Sequence, residues 1–319
     1  MTLHLFTTLP TGPEHSGGFP QLRERARAAQ DSGLDALILP DRRAIGPDGP
    51  GSLEAGTLAA ALTVVTDDIG LVLTVSTEYS APYHVARLLA TVDQFGGGRA
   101  GWAVAPPAER ADAANHHSGP PADLPVQRSR ADEFALVLTG LWDSFQDDAF
   151  LRDRDSGVYF VPDRLHTLDH RGEHFAVAGP LNIARPPQGH PVLVRYLTGT
   201  EDAASAAHSA DVAVLRAGAA DDVAQAAGAL EEACRATGRR RNQMRLFLER
   251  PADTAVDDLL HEAEAGPADG FVLVPSAGAG YETALRTARA VREKHPRTSG
   301  PTLRARLGLP RPVGRWPAS

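Results

Sequence analysis

The sequence predicts an α/β protein built as a single (β/α)8 TIM barrel, and three observations lead there. Short apolar runs alternate with longer amphipathic ones, and they do so eight times between Leu3 and Lys294. The apolar runs are close to continuous instead of alternating with polar residues, which marks parallel strands covered on both faces. Eight such units suit a closed barrel better than an open doubly wound sheet, which is the alternative architecture. No G-x-G-x-x-G follows the first strand and no Walker motif occurs, so both nucleotide-binding versions of the open sheet lose support.

Taken in order, Leu3–Phe6 is the first expected strand and 20–32 a helix ending at Gly33. Ala36–Leu39 is the second strand, stopped by Pro40-Asp41, and 53–65 is helical. Residues 69–75 form a Val/Leu/Thr strand buried on both sides. Pro82–Phe95 is a helix with proline in its first turn, closed by Gly96-Gly97-Gly98. Residues 99–105 are strand-like, 106–127 read as a long loop, and 129–144 as a helix. Residues 150–189 read as an insertion containing a hairpin before the fifth strand, Val192–Leu197. Strand and helix then repeat at 212–215 and 221–237, 244–248 and 254–265, and 270–274 and 281–294. The proline-rich stretch 296–319 reads as an extended tail packed on the body. One domain is expected to cover 1–319.

Composition narrows the function. With 42% hydrophobic and 23% charged residues, 319 residues suffice for a full core and exclude a disordered or fibrous class. The net charge of −8, from 40 acidic against 32 basic residues, argues against a nucleic-acid partner. No apolar stretch is long enough for a membrane span and no signal peptide is visible, so a cytoplasmic location is the expectation. A lone cysteine, Cys234, excludes a disulfide framework, and it reads as a small core residue. Lys294 is the only lysine, which removes Schiff-base catalysis from consideration. The run Arg239-Arg240-Arg241 reads as a solvated helix end, and His166, His170 and His174 lack the helical context that metal ligation would need.

In a barrel the chemistry sits just past the C-terminal ends of the strands. Those positions hold Asp41, Thr74 to Thr77, Val104 to Pro107, Leu197 to Thr200, Glu249-Arg250 and Pro275-Ser276. The group is rich in hydroxyls and poor in acid–base pairs, and it contains no nucleophile elbow. Such a mouth suits a cofactor that carries the chemistry itself.

Several motifs carry a resemblance. They are Thr74-Val-Ser-Thr-Glu-Tyr-Ser-Ala-Pro-Tyr-His-Val-Ala-Arg87, Asp93-Gln-Phe-Gly-Gly-Gly-Arg-Ala-Gly-Trp102, Arg130-Ala-Asp-Glu-Phe134, Phe175-Ala-Val-Ala-Gly-Pro-Leu-Asn182, Pro187-Gln-Gly-His-Pro-Val192 and Thr302-Leu-Arg-Ala-Arg-Leu-Gly-Leu-Pro310. In this order they resemble the nitrilotriacetate monooxygenase component A group of the bacterial luciferase-like, flavin-dependent monooxygenases. The resemblance implies a (β/α)8 barrel that uses reduced FMN (FMNH2) from a separate flavin reductase. It also implies O2, a C4a-(hydro)peroxyflavin and a small organic substrate, with homo-oligomers frequent among such enzymes. By the same resemblance Asp41, Thr74 and Ser76 would lie against the flavin ring, and His84 would neighbour substrate or peroxide.

The sequence departs from the pattern at the cofactor. Trp102-Ala-Val-Ala-Pro-Pro107 lacks an amide and two hydroxyls, Arg128 replaces a tyrosine, and the phosphate loop is Arg195-Tyr-Leu-Thr-Gly199 followed by Thr200. An insertion expected after the seventh strand is absent between Leu248 and Asp253. The bulk of Tyr196 and Leu197 opposes close approach of a phosphate. Two readings follow. Arg128 and Arg195, with Thr198 and Thr200, bind the phosphate through charge-assisted contacts; or flavin binding is lost, and the chain is a non-catalytic partner subunit or small-molecule binder. A deazaflavin-dependent oxidoreductase is a further alternative.

Overall fold

The computed structural model describes residues 2–12, 18–45, 51–116, 119–216, 223–275 and 280–316. Eight parallel strands close on themselves: β1 (His4–Thr8), β2 (Ala36–Leu39), β3 (Gly70–Val75), β4 (Ala100–Val104), β7 (Val192–Leu197), β8 (Val212–Leu215), β9 (Arg245–Pro251) and β10 (Gly270–Val274). Each pairs with its neighbour in chain order, and β10 pairs with β1 through His4 opposite Gly270 and Leu5 opposite Phe271. Around them stand α1 (Gly18–Asp31), α2 (Ala55–Thr63), α3 (Pro82–Phe95), α4 (Arg110–Ala114), α5 (Leu124–Trp142), α6 (Ala203–Ser209), α7 (Val223–Ala236), α8 (Val256–Ala265) and α9 (Gly280–Lys294). The expected barrel is therefore the observed one. Among the described residues no helix is long and apolar enough to cross a membrane.

Strand alternation divides the core in two. Phe6, Ile38, Val72, Ala103, Val194, Val214, Phe247 and Val272 point inward and fill the barrel. Leu5, Leu37, Leu71, Leu73 and Leu193 point outward, against Leu22, Leu58, Leu89, Phe134 and Leu285 of the helices. Trp102 belongs to this outer layer, 6.1 Å from Phe134 between ring centroids, because its neighbour Ala103 takes the inward position. The barrel interior thus closes without this tryptophan.

The stretch 106–127 is more ordered than a loop. It contains α4, and α5 begins at Leu124, with Asp123 before it and Pro125 in the first turn, where a missing N–H costs nothing. The hairpin expected in the insertion consists of β5 (His170–Arg171) and β6 (Ala176–Val177). Its turn is held from α5: Glu133 accepts hydrogen bonds from the His174 and Phe175 amides and contacts His170 Nε2 at 2.8 Å. His166 stacks on Trp316 and His174 meets Ser129 at 3.0 Å, so the three histidines diverge.

The tail is not simply extended. A short helix, α10 (Leu303–Arg306), lies under the N-terminal ends of the strands, and Leu303, Leu307 and Leu309 complete the inner core there. Gly70 leaves room for it, since a Cβ at that position would stand 2.8 Å from Leu303 Cδ2. Buried polar side chains latch this floor in place. Asp93 accepts from the Ala100 amide and from Gln188 Nε2, and Gln188 Oε1 accepts from the Arg304 amide at 2.9 Å. Arg304 forks onto Asp211 at 2.8 and 2.5 Å and donates to the His190 carbonyl. Asp35, fully buried, accepts from the Leu5 amide, Arg292 and Arg297. Burial alone would raise its pKa, but the His4 contact and the two guanidiniums win and hold it at about 2.

One surface reading also changes. Of the run 239–241 only Arg240 is exposed; Arg239 donates to the Ala207 and Gln243 carbonyls, and Arg241 pairs with Asp269 at 3.2 Å. Cys234 is buried beside Met244, as expected of a core thiol.

Candidate active site

The C-terminal ends of the strands open onto three hollows, one beside Thr8, Pro40 and Pro275 and two others that adjoin and share Ser76. The first of the adjoining two, about 480 Å3, is lined by Asp41 after β2, Thr74 and Ser76 at the end of β3, Glu54, Tyr79, and His84 in the first turn of α3. Thr74 and Ser76 share the parity of Val72, so both face inward, and Ser76 Oγ accepts from the Tyr79 amide at 3.3 Å. Val85 and Leu88 form an apolar wall. Tyr79 stacks flat on His116, 4.1 Å between centroids, and His116 Nδ1 is 2.7 Å from the Asp112 carbonyl. His116 is therefore part of the site and not a solvated loop residue, whereas His117 and Ser276 lie outside the described residues. Tyr83 donates to the Pro180 carbonyl at 3.4 Å, a packing role. His84 is exposed at the rim.

Two carboxyls in this hollow have opposite tendencies. Partial burial, reinforced by the charge of Glu54, raises the pKa of Asp41. Burial also acts upward on Glu54, but its hydrogen bonds from Thr57 and Gly56 at the start of α2 outweigh that and lower it. Asp41 is thus the carboxyl here that keeps its proton to the higher pH.

The second hollow, about 160 Å3, is lined by Ser76, Thr77, Pro106, Arg128, Arg195, Tyr196, Thr198 and Arg216, among others. It gathers the expected phosphate-side residues Arg128 and Thr198, but Thr200 is exposed outside it. The donors are already engaged. Asp202 Oδ2 accepts from both the amide and the hydroxyl of Thr198, each at 2.8 Å, and Asp202 Oδ1 pairs with Arg128 Nε at 2.9 Å. Arg128 also meets Glu201 at 3.5 Å. Arg195, on the outward face of β7, pairs with Asp132 at 2.8 Å and donates to Ser205 and the Ala131 carbonyl. Leu197 faces the helical layer and leaves the hollow clear, whereas Tyr196 lines it. The sequence reading passed over Arg216, although it follows β8 as Asp41 follows β2, and strand-end position was the signal that could have found it.

Residues 1–297 match the family described as luciferase-like monooxygenase. The chain is 39% identical over 313 residues to one of the pristinamycin IIA synthase subunits of Streptomyces pristinaespiralis, covering 98% of this chain and 96% of that one. It is 43% identical over 183 residues to nitrilotriacetate monooxygenase component A of Aminobacter aminovorans, covering 57% of this chain and 39% of that relative. The EDTA monooxygenase of Chelativorans sp. BNC1 superposes with a TM-score of 0.81 at 22% identity, covering 98% of this chain and 99% of that one, which speaks for the fold.

Proposed function

The chain belongs to the luciferase-like monooxygenase family, and from that premise we propose that it is the oxygenating component of a two-component system, taking FMNH2 from a separate reductase to oxygenate a small organic substrate. The observation that carries this reading is the assembly of Asp41, Thr74 and Ser76 around one hollow at the barrel mouth. That hollow suits a flavin ring: the hydroxyl residues Thr74 and Ser76 and the apolar Val85 and Leu88 all line it, together with a carboxyl of raised pKa. Reduced flavin, when bound, supplies two electrons with which O2 yields one inserted oxygen atom and one water.

The residues of the chain then have separate tasks. Thr74 and Ser76 orient the ring through their hydroxyls, and Asp41 holds or passes a proton at its edge. Val85, Leu88 and the Tyr79–His116 stack keep water from that side of the hollow. His84, at the rim, is placed to meet substrate. The second hollow offers a phosphate less than the family pattern implies, because Asp202 takes the donors of Arg128 and Thr198. That observation, with the full-length likeness to a relative named as one subunit of a synthase, favours a second reading, a partner subunit that binds no flavin alone.

Titration of the purified chain with oxidised FMN, read by quenching of flavin fluorescence, tests the first reading. Saturation at micromolar concentration is expected, together with weakening of about 10-fold in Thr74→Val, as the loss of an orienting hydrogen bond predicts. No quenching until a second luciferase-like chain is added would replace the first reading by the second.

A further inference from the structure

Three arginines line the second hollow, and two of them are neutralised within the chain. Arg128 faces Asp202 and Glu201, and Arg195 faces Asp132. Arg216 differs. Its guanidinium lies 4.8 Å from the centroid of the Tyr196 ring, and its Nε, like that of Arg195, is buried without a hydrogen-bond partner, but it lacks the ion pair that Arg195 makes. Arg216 makes no ion pair among the described residues, although Glu249, next after Leu248 in the register with Leu215, acts with it on the Tyr196 ring. Residues 212, 214 and 216 share one parity, and Val212 and Val214 lie in the inner core, so Arg216 stands at the top of the barrel interior. Tyr196 reaches the same level from β7 and packs against the inner core.

A buried N–H without an acceptor is costly, and native structures rarely leave one unless something else supplies the acceptor. The Tyr196 ring covers one side of the guanidinium, and because Arg216 lines the hollow its terminal N–H groups are left for a planar, bidentate partner. That edge suits a carboxylate or a phosphoryl group, and the stacked ring reduces the ordering needed on binding. We propose that Arg216, backed by Tyr196, is the anion-recognition residue of this mouth, taking a carboxylate or phosphoryl group of the bound small molecule in place of the cradle that Asp202 has filled. The proposal rests on the barrel mouth being the binding site, and its anion arms stand even if flavin binding fails.

The test compares the native chain with Arg216→Met and, should that variant not fold, Arg216→Gln. Oxidised FMN and riboflavin are titrated by fluorescence quenching, and inorganic phosphate and succinate by calorimetry. Loss of one charge-assisted hydrogen bond predicts weakening of about 10-fold or more in the variant. If the anion is the flavin phosphate, FMN and inorganic phosphate weaken while riboflavin is unchanged. If it is a substrate carboxylate, succinate weakens and the two flavins are unaffected. Anion affinities that agree within about 2-fold between native and variant chains, or no anion binding to the native chain, overturn the proposal. Absence of flavin binding with retained, Arg216-dependent anion binding rejects the flavin reading alone.

Discussion

Arg304→Ala should cost far more stability than Arg311→Ala, although both residues lie in the same tail. The Arg304 side chain is about one-twentieth exposed, forks onto Asp211 and donates to the His190 carbonyl. Removing it leaves the buried Asp211 beside the start of β7 with only the Leu193 amide and a 3.9 Å contact to Arg239, a loss of about 3–5 kcal/mol. At about 2.1 cal/mol/K per residue over 319 residues, that corresponds to a drop in Tm of roughly 5–8 °C. Arg311 pairs with Asp147 where both side chains are about half exposed, so its removal should cost under about 1 kcal/mol, roughly 1–2 °C. Differential scanning calorimetry at neutral pH measures both. Because the latch lies at the opposite end of the barrel from the two hollows, flavin and anion affinities of folded Arg304→Ala should match those of the native chain. A Tm loss no greater than that of Arg311→Ala would refute the assignment of the latch as a main support of the floor.

Other outcomes follow from the same geometry. Asp35 has a folded pKa of about 2, below its unfolded value near 3.8, so its stabilisation is complete above pH 4 and lost as pH falls towards 2. The contribution is on the order of 2 kcal/mol, and acid unfolding curves should lose that limb in Asp35→Asn, a variant already weakened at neutral pH because Arg292 and Arg297 lose their partner. Gly98 has φ +88°, and a Cβ there would stand 2.5 Å from Thr302 Cγ2. Gly98→Ala should therefore destabilise by about 2–4 kcal/mol in chemical denaturation. Asp202→Asn should free the Thr198 donors and leave Arg128 with Glu201 alone, so inorganic phosphate should bind several-fold more tightly by calorimetry; unchanged or weaker binding would show that Asp202 does not compete with anions.

The barrel was legible because strand burial leaves a coarse signal: all eight apolar runs became strands within a few residues of their expected ends. What failed was local. The outward turn of Trp102 depends on parity within a strand whose two faces are both apolar, which hydrophobicity cannot distinguish. The start of α5 at Leu124 was hidden by a segment rich in Pro, Ala and Asp. The motifs that carried the resemblance proved largely architectural: Asp93, Gln188 and Arg304 latch the floor, while Arg130, Asp132 and Glu133 brace the hairpin, β3 and β7. They do not line the two adjoining hollows, although Arg195, the partner of Asp132, lines the second. Asp41, Thr74, Ser76 and His84 do meet around one hollow. Thr200 does not join the other, and the engagement of Arg128 by Asp202 arises from the turn before α6, a contact no spacing reveals.

The floor helix has a consequence for how the molecule is made. Its leucines lie some thirty positions beyond the final barrel strand, so during synthesis the ring can close before its underside is sealed. Until α10 leaves the ribosome, the apolar lumen near Ala36 and Val192 stays open to water and to chaperones that bind greasy surfaces. Released chains truncated before Leu303 should therefore be held by such chaperones, and full-length chains should not.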